Sequence, residues 1–145
     1  MFLLRLLPAS IAAAPAEPVV APTSQRIDGY EIHHNALRTN FLDPAMARRY
    51  GIARSPHGGM LNLSVQRIGE DGMTHAVAAT IRGDAVNLLG RRTAVTFRAI
   101  PGEDISYVGL FELAGPDTWT FELSITPADA TRAIALRFSQ DFTAN

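Results

Sequence analysis

The segment TWTFELSIT, residues 118–126, alternates apolar and polar side chains along its whole length and decides the fold. Trp119, Phe121, Leu123 and Ile125 share one face, while threonine, glutamate and serine occupy the other. Alternation with a period of two is the pattern of a β-strand that has one buried face. The segment therefore predicts an antiparallel strand that packs its apolar face against a second layer.

The same alternation recurs along the chain between turns rich in glycine, proline and acidic residues. Seven such strands are predicted, at residues 28–37, 60–68, 73–82, 93–100, 105–113, 118–126 and 132–143. Seven amphipathic strands cannot bury their apolar faces in one open sheet, so we expect two sheets to pack face to face. The predicted fold is an all-β, antiparallel, immunoglobulin-like β-sandwich.

One short helix is predicted after the first strand. Asp43 suits the N-cap, and Pro44 suits the first helical position. Arg48 and Arg49 suit the negative end of the helix dipole, and Gly51 suits a left-handed C-terminal cap. Together these signals predict two helical turns.

The composition is that of an ordinary globular protein. Of the 145 residues, 47% are hydrophobic and 19% are charged, which is enough for one domain with a buried core. The formal net charge of −1 gives no electrostatic basis for binding nucleic acid. Because the sequence contains no cysteine, disulfides, thiolate metal sites and cysteine nucleophiles are excluded.

The first sixteen residues, MFLLRLLPASIAAAPA, have the pattern of a secretory signal peptide. Arg5 supplies a positive n-region, an apolar stretch follows, and a small-residue Ala-Pro-Ala sequence ends at Ala16. The apolar stretch is shorter than the ~20 residues that a membrane-spanning helix needs. We predict cleavage near Ala16 and a periplasmic or secreted location. The alternative is an N-terminal tail on a cytosolic protein.

The domain organisation follows from this segment. Residues 1–16 are predicted as the signal peptide, residues 17–25 as a proline- and alanine-rich spacer, and residues 26–145 as a single β-sandwich domain.

Histidine is the first side chain to consider for chemistry. His33 and His34 are neighbours on a predicted strand, so they point to opposite faces and cannot chelate one ion together. We expect one to face the interior and the other to face solvent. In the predicted hairpin of strands 60–68 and 73–82, Met60 lies opposite Ile81, at the end away from the turn. The candidate copper ligands near Met60 are therefore too far from those near the turn to bind one ion together.

No catalytic constellation is visible in the sequence. It has no Ser–His–Asp pattern, no P-loop and no dinucleotide fingerprint. We therefore predict a protein that is not an enzyme and that uses no cofactor and no metal.

The segment YEIHHNALRTNFLDPAMARRYGIARS, residues 30–55, carries a long ordered pattern. Together with GMLNLSV, AVNLLGRRTAVTFRAI and ALRFSQDFTAN, it resembles small exported proteobacterial proteins grouped as the domain of unknown function 4426 family. The resemblance implies an exported β-rich domain and brings no assigned activity. In this pattern an aromatic residue such as tyrosine is expected at the position of His34.

If the family shares a site, the resemblance points to residues of the strand-to-helix segment, because polar side chains at a strand end can form a recognition surface. These candidate binding residues are Tyr30, His33, Asn35, Thr39, Phe41 and Tyr50. The alternative is a structural clasp, in which Asn35 bonds to backbone, Asp43 caps the helix, and Tyr50 with Phe41 closes one end of the sandwich.

The sequence thus predicts a periplasmic, non-catalytic binding or assembly module. Its expected partner is a periplasmic protein, and its edge strands also allow a homodimer. The alternative function is a periplasmic metal or small-ligand carrier that uses His33 or the loop at His57.

Overall fold

The computed structural model describes residues 23–113 and 118–142. The predicted signal peptide and most of the predicted spacer lie outside the described residues. The described residues form β1 (Ser24–Ile27), β2 (Tyr30–Arg38), a 3-10 turn (Thr39–Phe41), α1 (Pro44–Tyr50), β3 (Gly58–Ile68), β4 (Thr74–Ala76), β5 (Ala79–Asn87), β6 (Arg92–Ala94), β7 (Thr96–Ile100), β8 (Ser106–Glu112), β9 (Thr118–Pro127) and β10 (Ile134–Asp141). Within these two ranges, no helix is long and apolar enough to cross a membrane.

Two antiparallel sheets pack face to face, which confirms the predicted all-β sandwich. The first sheet has the order β1-β2-β3-β8-β7, with β4 paired to the end of β3, and the second has the order β10-β9-β5-β6. The core lies between the sheets and includes Ile32, Leu61, Phe121 and Ile125, each 0% exposed. The immunoglobulin-like topology stays a prediction.

Two segments that were predicted as single strands cross from one sheet to the other. Residues 73–82 divide into β4, which pairs with β3, and β5, which pairs with β9. Residues 93–100 divide into β6, which pairs with β5, and β7, which pairs with β8. The predicted pairing of Met60 with Ile81 is therefore wrong, because Ile81 pairs with Ile125 in the second sheet. A bend takes a strand across a sandwich corner while its alternation continues, so the pattern does not reveal the crossing.

The fold also begins earlier than predicted. β1 starts at Ser24, whereas the spacer was predicted to reach residue 25 and the domain to start at Arg26. Asp28 and Gly29 join β1 to β2 with positive φ angles of 53° and 83°. An Asp-Gly pair with two positive φ angles is a preferred hairpin turn, so the chain adds a short edge strand before β2.

Helix α1 lies where its capping signals predict. Asp43 Oδ1 accepts hydrogen bonds from the backbone N–H of Ala45 at 2.8 Å and of Met46 at 3.3 Å. Gly51 ends the helix with a left-handed φ of 64°. These contacts satisfy free backbone groups at both helix ends and set the length of α1 at 7 residues.

Packing holds α1 against the outer face of the first sheet, the face turned away from the main core. The Arg98 side chain on β7 donates a hydrogen bond to the Tyr50 carbonyl at the helix C-terminus, where a positive charge is favoured. A second apolar cluster joins the helix segment to the sheet, and its buried members are Leu42, Ala47, Ile52, Met60 and Val108.

Candidate functional site

A groove of about 520 Å³ lies between α1 and the outer face of the first sheet. Its wall is apolar and comes from the helix and its flanking residues, which are Leu42, Met46, Tyr50 and Ile52. Its floor comes from β2, β3 and β8. A volume of a few hundred Å³ is typical of sites that bind small molecules.

Polar side chains form much of the floor. Cross-strand pairing places His33 beside Ser64 and Asn35 beside Asn62, and Ser106 adds a hydroxyl from β8. Asn35 and Asn62 are exposed, and Ser64 and Ser106 are partly exposed. In the part of the chain that the structure describes, the side chains of these four residues form no hydrogen bond. Their donors and acceptors are therefore available to a ligand.

The described lining of the groove includes two histidines but no carboxylate or guanidinium group. No aspartate, glutamate or arginine is among those lining residues. His33 is half-exposed and its Nε2 lies 3.7 Å from Glu31 Oε1, outside the lining. Because burial of an unpaired charge is costly, this lining suits a neutral ligand that has hydrogen-bonding groups next to an apolar part.

Three of the six predicted site residues line the groove: His33, Asn35 and Tyr50. The first two come from β2, and Tyr50 comes from the last position of α1. The structure brings them together because the chain folds α1 back over the strand that precedes it. The predicted strand-to-helix segment thus borders one continuous groove.

The other three predicted residues lie elsewhere. Tyr30 faces the main core, and its Oη donates a 2.7 Å hydrogen bond to Asp129 Oδ1, which, with burial, raises the pKa of the tyrosine. Thr39 Oγ1 donates to the Ser55 carbonyl at 3.1 Å and accepts from the Ser55 N–H at 2.9 Å, so Thr39 holds two ends of a loop together. Phe41 is 60% exposed and does not close the sandwich.

The adjacent histidines confirm the prediction that one faces inward and one faces solvent. His34 is 5% exposed and stacks on Phe138 with ring centroids 3.9 Å apart. Burial, with a smaller contribution from His33, lowers the pKa of His34. Its Nε2 has no hydrogen-bond partner within the described ranges. The position thus has an apolar aromatic environment, which agrees with the aromatic residue that the family pattern implies there.

The predicted metal alternative gains no ligand set from the structure. Across residues 23–113 and 118–142, no three side chains of the histidine, aspartate or glutamate type lie close enough together to hold an ion. His33 contributes to the groove as a polar side chain on its floor.

Sequence reasoning missed part of the floor, namely Asn62, Ser64 and Ser106. The polar face of residues 60–68 was visible in the alternation of that strand. The sequence does not reveal that α1 covers this face, because that depends on how the helix packs after the chain has turned.

Comparisons with known proteins agree on one family. The family model described as "Domain of unknown function (DUF4426)" matches residues 24–144. The crystal structure of a DUF4426 family protein from Pseudomonas aeruginosa PAO1 is similar with a TM-score of 0.68 and 24% sequence identity, over 81% of this chain and 91% of that chain. At this identity the likeness shows a shared fold alone. No curated protein matches the sequence. The match over most of the chain shows that this protein belongs to the DUF4426 family.

Proposed function

We propose that this protein is an exported, non-catalytic binding module that takes a small neutral ligand in the groove beneath α1. The observation that carries the proposal is the pairing of an apolar wall with four polar side chains of the floor that form no hydrogen bond among the described residues. Sites for small molecules commonly combine an apolar lining with a few polar groups that orient the ligand.

The chemistry of the floor defines the ligand class. Asn35 and Asn62 offer amide donors and acceptors, and Ser64 offers a hydroxyl. Each hydrogen bond to a neutral group contributes about 0.5–1.5 kcal/mol. A ligand with hydroxyl or amide groups on one side and an apolar part on the other would contact both the floor and the Tyr50 side of the wall.

Export supports a role as a carrier or receptor outside the cytoplasm. It rests on the signal-peptide pattern of residues 1–16, which lie outside the described residues. Binding to a periplasmic protein and formation of a homodimer stay predictions from the sequence.

Native mass spectrometry of untagged protein from the periplasm tests both parts of the proposal. We expect a chain that begins at residue 17 and carries an added small-molecule mass. In Ser64→Trp the new side chain fills the groove, so the added mass should be lost. Ser124→Trp is the matched control, because Ser124 is exposed on the outer face of the second sheet.

Two outcomes would contradict the proposal. An uncleaved chain confined to the cytosol contradicts export. A wild-type chain without added mass, or an added mass that Ser64→Trp retains, contradicts binding in the groove.

A further inference from the structure

A second cavity, of about 490 Å³, opens at one end of the sandwich. It lies between the segment that follows β2 and the hairpin that joins β5 to β6. Phe111 and Trp119 give it an aromatic side, and Arg91 and Glu112 give it charged groups. This end cavity therefore differs in chemistry from the groove, whose described lining has no carboxylate or guanidinium group.

One exposed hydrogen-bond donor at the end cavity is unused. Trp119 is 1% exposed, and its Nε1–H has no acceptor in the part of the chain that the structure describes. The exposed Arg91 guanidinium forms neither a hydrogen bond nor an ion pair with any described residue. The Trp119 N–H is buried and does not face an incoming ligand, so Arg91 is the donor that the end cavity offers.

The hairpin holds Arg91 at the edge of the cavity. Asn87 Oδ1 accepts hydrogen bonds from the backbone N–H of Leu89 at 3.1 Å and of Arg91 at 2.8 Å. The Asn87 N–H donates to the Arg91 carbonyl at 3.0 Å, and Gly90 supplies the positive φ of 81° that the turn requires. The backbone that carries the guanidinium is thus fixed before a ligand binds, which lowers the entropic cost of binding.

Charge limits the ligand to one negative group. A carboxylate matches the planar donors of the free Arg91 guanidinium. Glu112 also lies on the lining, and no described cation pairs with its carboxylate. A second negative charge on the ligand would therefore meet repulsion, while an apolar body would pack against Phe111 and Trp119.

We propose that the end cavity binds a monocarboxylate with an apolar body, whose carboxylate pairs with Arg91 and whose body packs against Phe111 and Trp119. This site is separate from the groove and does not rest on the function proposed for it. Ile52 lines both spaces, so one short segment of chain separates them.

Trp119 is the only tryptophan in the sequence, so its fluorescence reports on the end cavity directly. The wild-type protein is titrated with octanoate and, as a neutral ligand of similar shape, with 1-octanol. We expect a saturable change of the Trp119 emission with octanoate, and binding of 1-octanol that is weaker by about tenfold or more, as for loss of one charge-assisted contact.

Variants locate the contact. Arg91→Gln should weaken octanoate binding by about tenfold or more, since it removes the positive charge that pairs with the carboxylate. Arg132→Gln is the matched control, because Arg132 is exposed just before β10, at the opposite end of the sandwich, and should bind like the wild type. Ser64→Trp, which fills the groove, should also leave octanoate binding unchanged, and calorimetry measures it because this variant has a second tryptophan. Trp119→Phe, with binding measured by calorimetry, should weaken octanoate binding severalfold at most, because the smaller ring keeps most of the apolar contact.

The proposal is overturned if octanoate gives no saturable signal up to its solubility limit, or if 1-octanol binds equally well. Equal affinities in Arg91→Gln and Arg132→Gln would also overturn it. If Trp119→Phe fails to fold, the pair of arginine variants still decides the question.

Discussion

The two faces of the first sheet are covered to different extents. Its inner face packs on the whole second sheet, and Ile32 and Leu61 on this face are 0% exposed. Among the described residues, α1 and the chain next to it cover the outer face in part, and Asn35 and Asn62 on this face are exposed. A complete layer excludes water and ligands, whereas a helix of 7 residues leaves room beside it. The incomplete layer is therefore what creates the candidate site.

The strongest test of this difference compares neighbouring residues on β3. Leu61→Ala should lower the free energy of unfolding by about 2–5 kcal/mol, because it leaves a cavity in the main core. Asn62→Ala, one position along on the outer face, should change it by no more than about 0.5 kcal/mol. Urea denaturation followed by circular dichroism measures both. Similar losses in the two variants would mean that the outer face is as tightly packed as the inner one.

The adjacent histidines on β2 give the next largest effect. His34→Phe should raise the free energy of unfolding by about 1–3 kcal/mol, because it removes a buried nitrogen that has no described partner and keeps a ring against Phe138. Thermal unfolding at neutral pH measures the gain. An exposed position on β4 serves as the control, since His75→Asn should leave the stability unchanged.

The pH dependence sharpens the same comparison. The pKa of His34 is lowered in the folded state from an ordinary value of 6.5, so below that pH the unfolded chain binds more protons. Stability should therefore fall as the pH drops below about 6.5 and towards the lowered value. His34→Phe should remove this part of the slope, and His75→Asn should retain it. If His34→Phe keeps the same dependence of stability on pH, other groups cause that dependence.

The smallest expected effect concerns helix α1, which covers part of the outer face. Asp43→Ala removes the cap of α1 and should cost about 1 kcal/mol, with faster amide exchange confined to the helix. Asp71→Ala removes a comparable hydrogen bond, which the Met73 N–H donates to Asp71 Oδ1 at 3.0 Å in the turn between β3 and β4. The control should leave exchange in α1 unchanged. Unchanged exchange in Asp43→Ala would show that packing alone holds the helix.

Local patterns in the sequence predicted the sandwich and α1 because strand alternation and helix caps depend on near neighbours. The two strand crossings could not be predicted, since alternation runs through a bend without interruption. The edge strand β1 was missed although Asp28-Gly29 is a turn signal. Half of the predicted site residues line the groove, but Ser64 and Ser106 required the cross-strand register, which is set by tertiary packing.

The strand crossings have a mechanical consequence. The links from β4 to β5 and from β6 to β7 both lie on one side of the sandwich, away from β1 and β10. The opposite margin, between β1 and β10, is joined by side chains: Gln25 Nε2 donates to the Arg137 carbonyl at 3.4 Å, and Arg38 donates to the Phe142 carbonyl. Separation of the sheets at this margin would break side-chain contacts and leave both strand crossings in place. We therefore expect the first opening of the native protein to release β10 and to expose the Phe138 side of the core. Amide hydrogens of β10 should exchange faster than those of the strands at the two crossings.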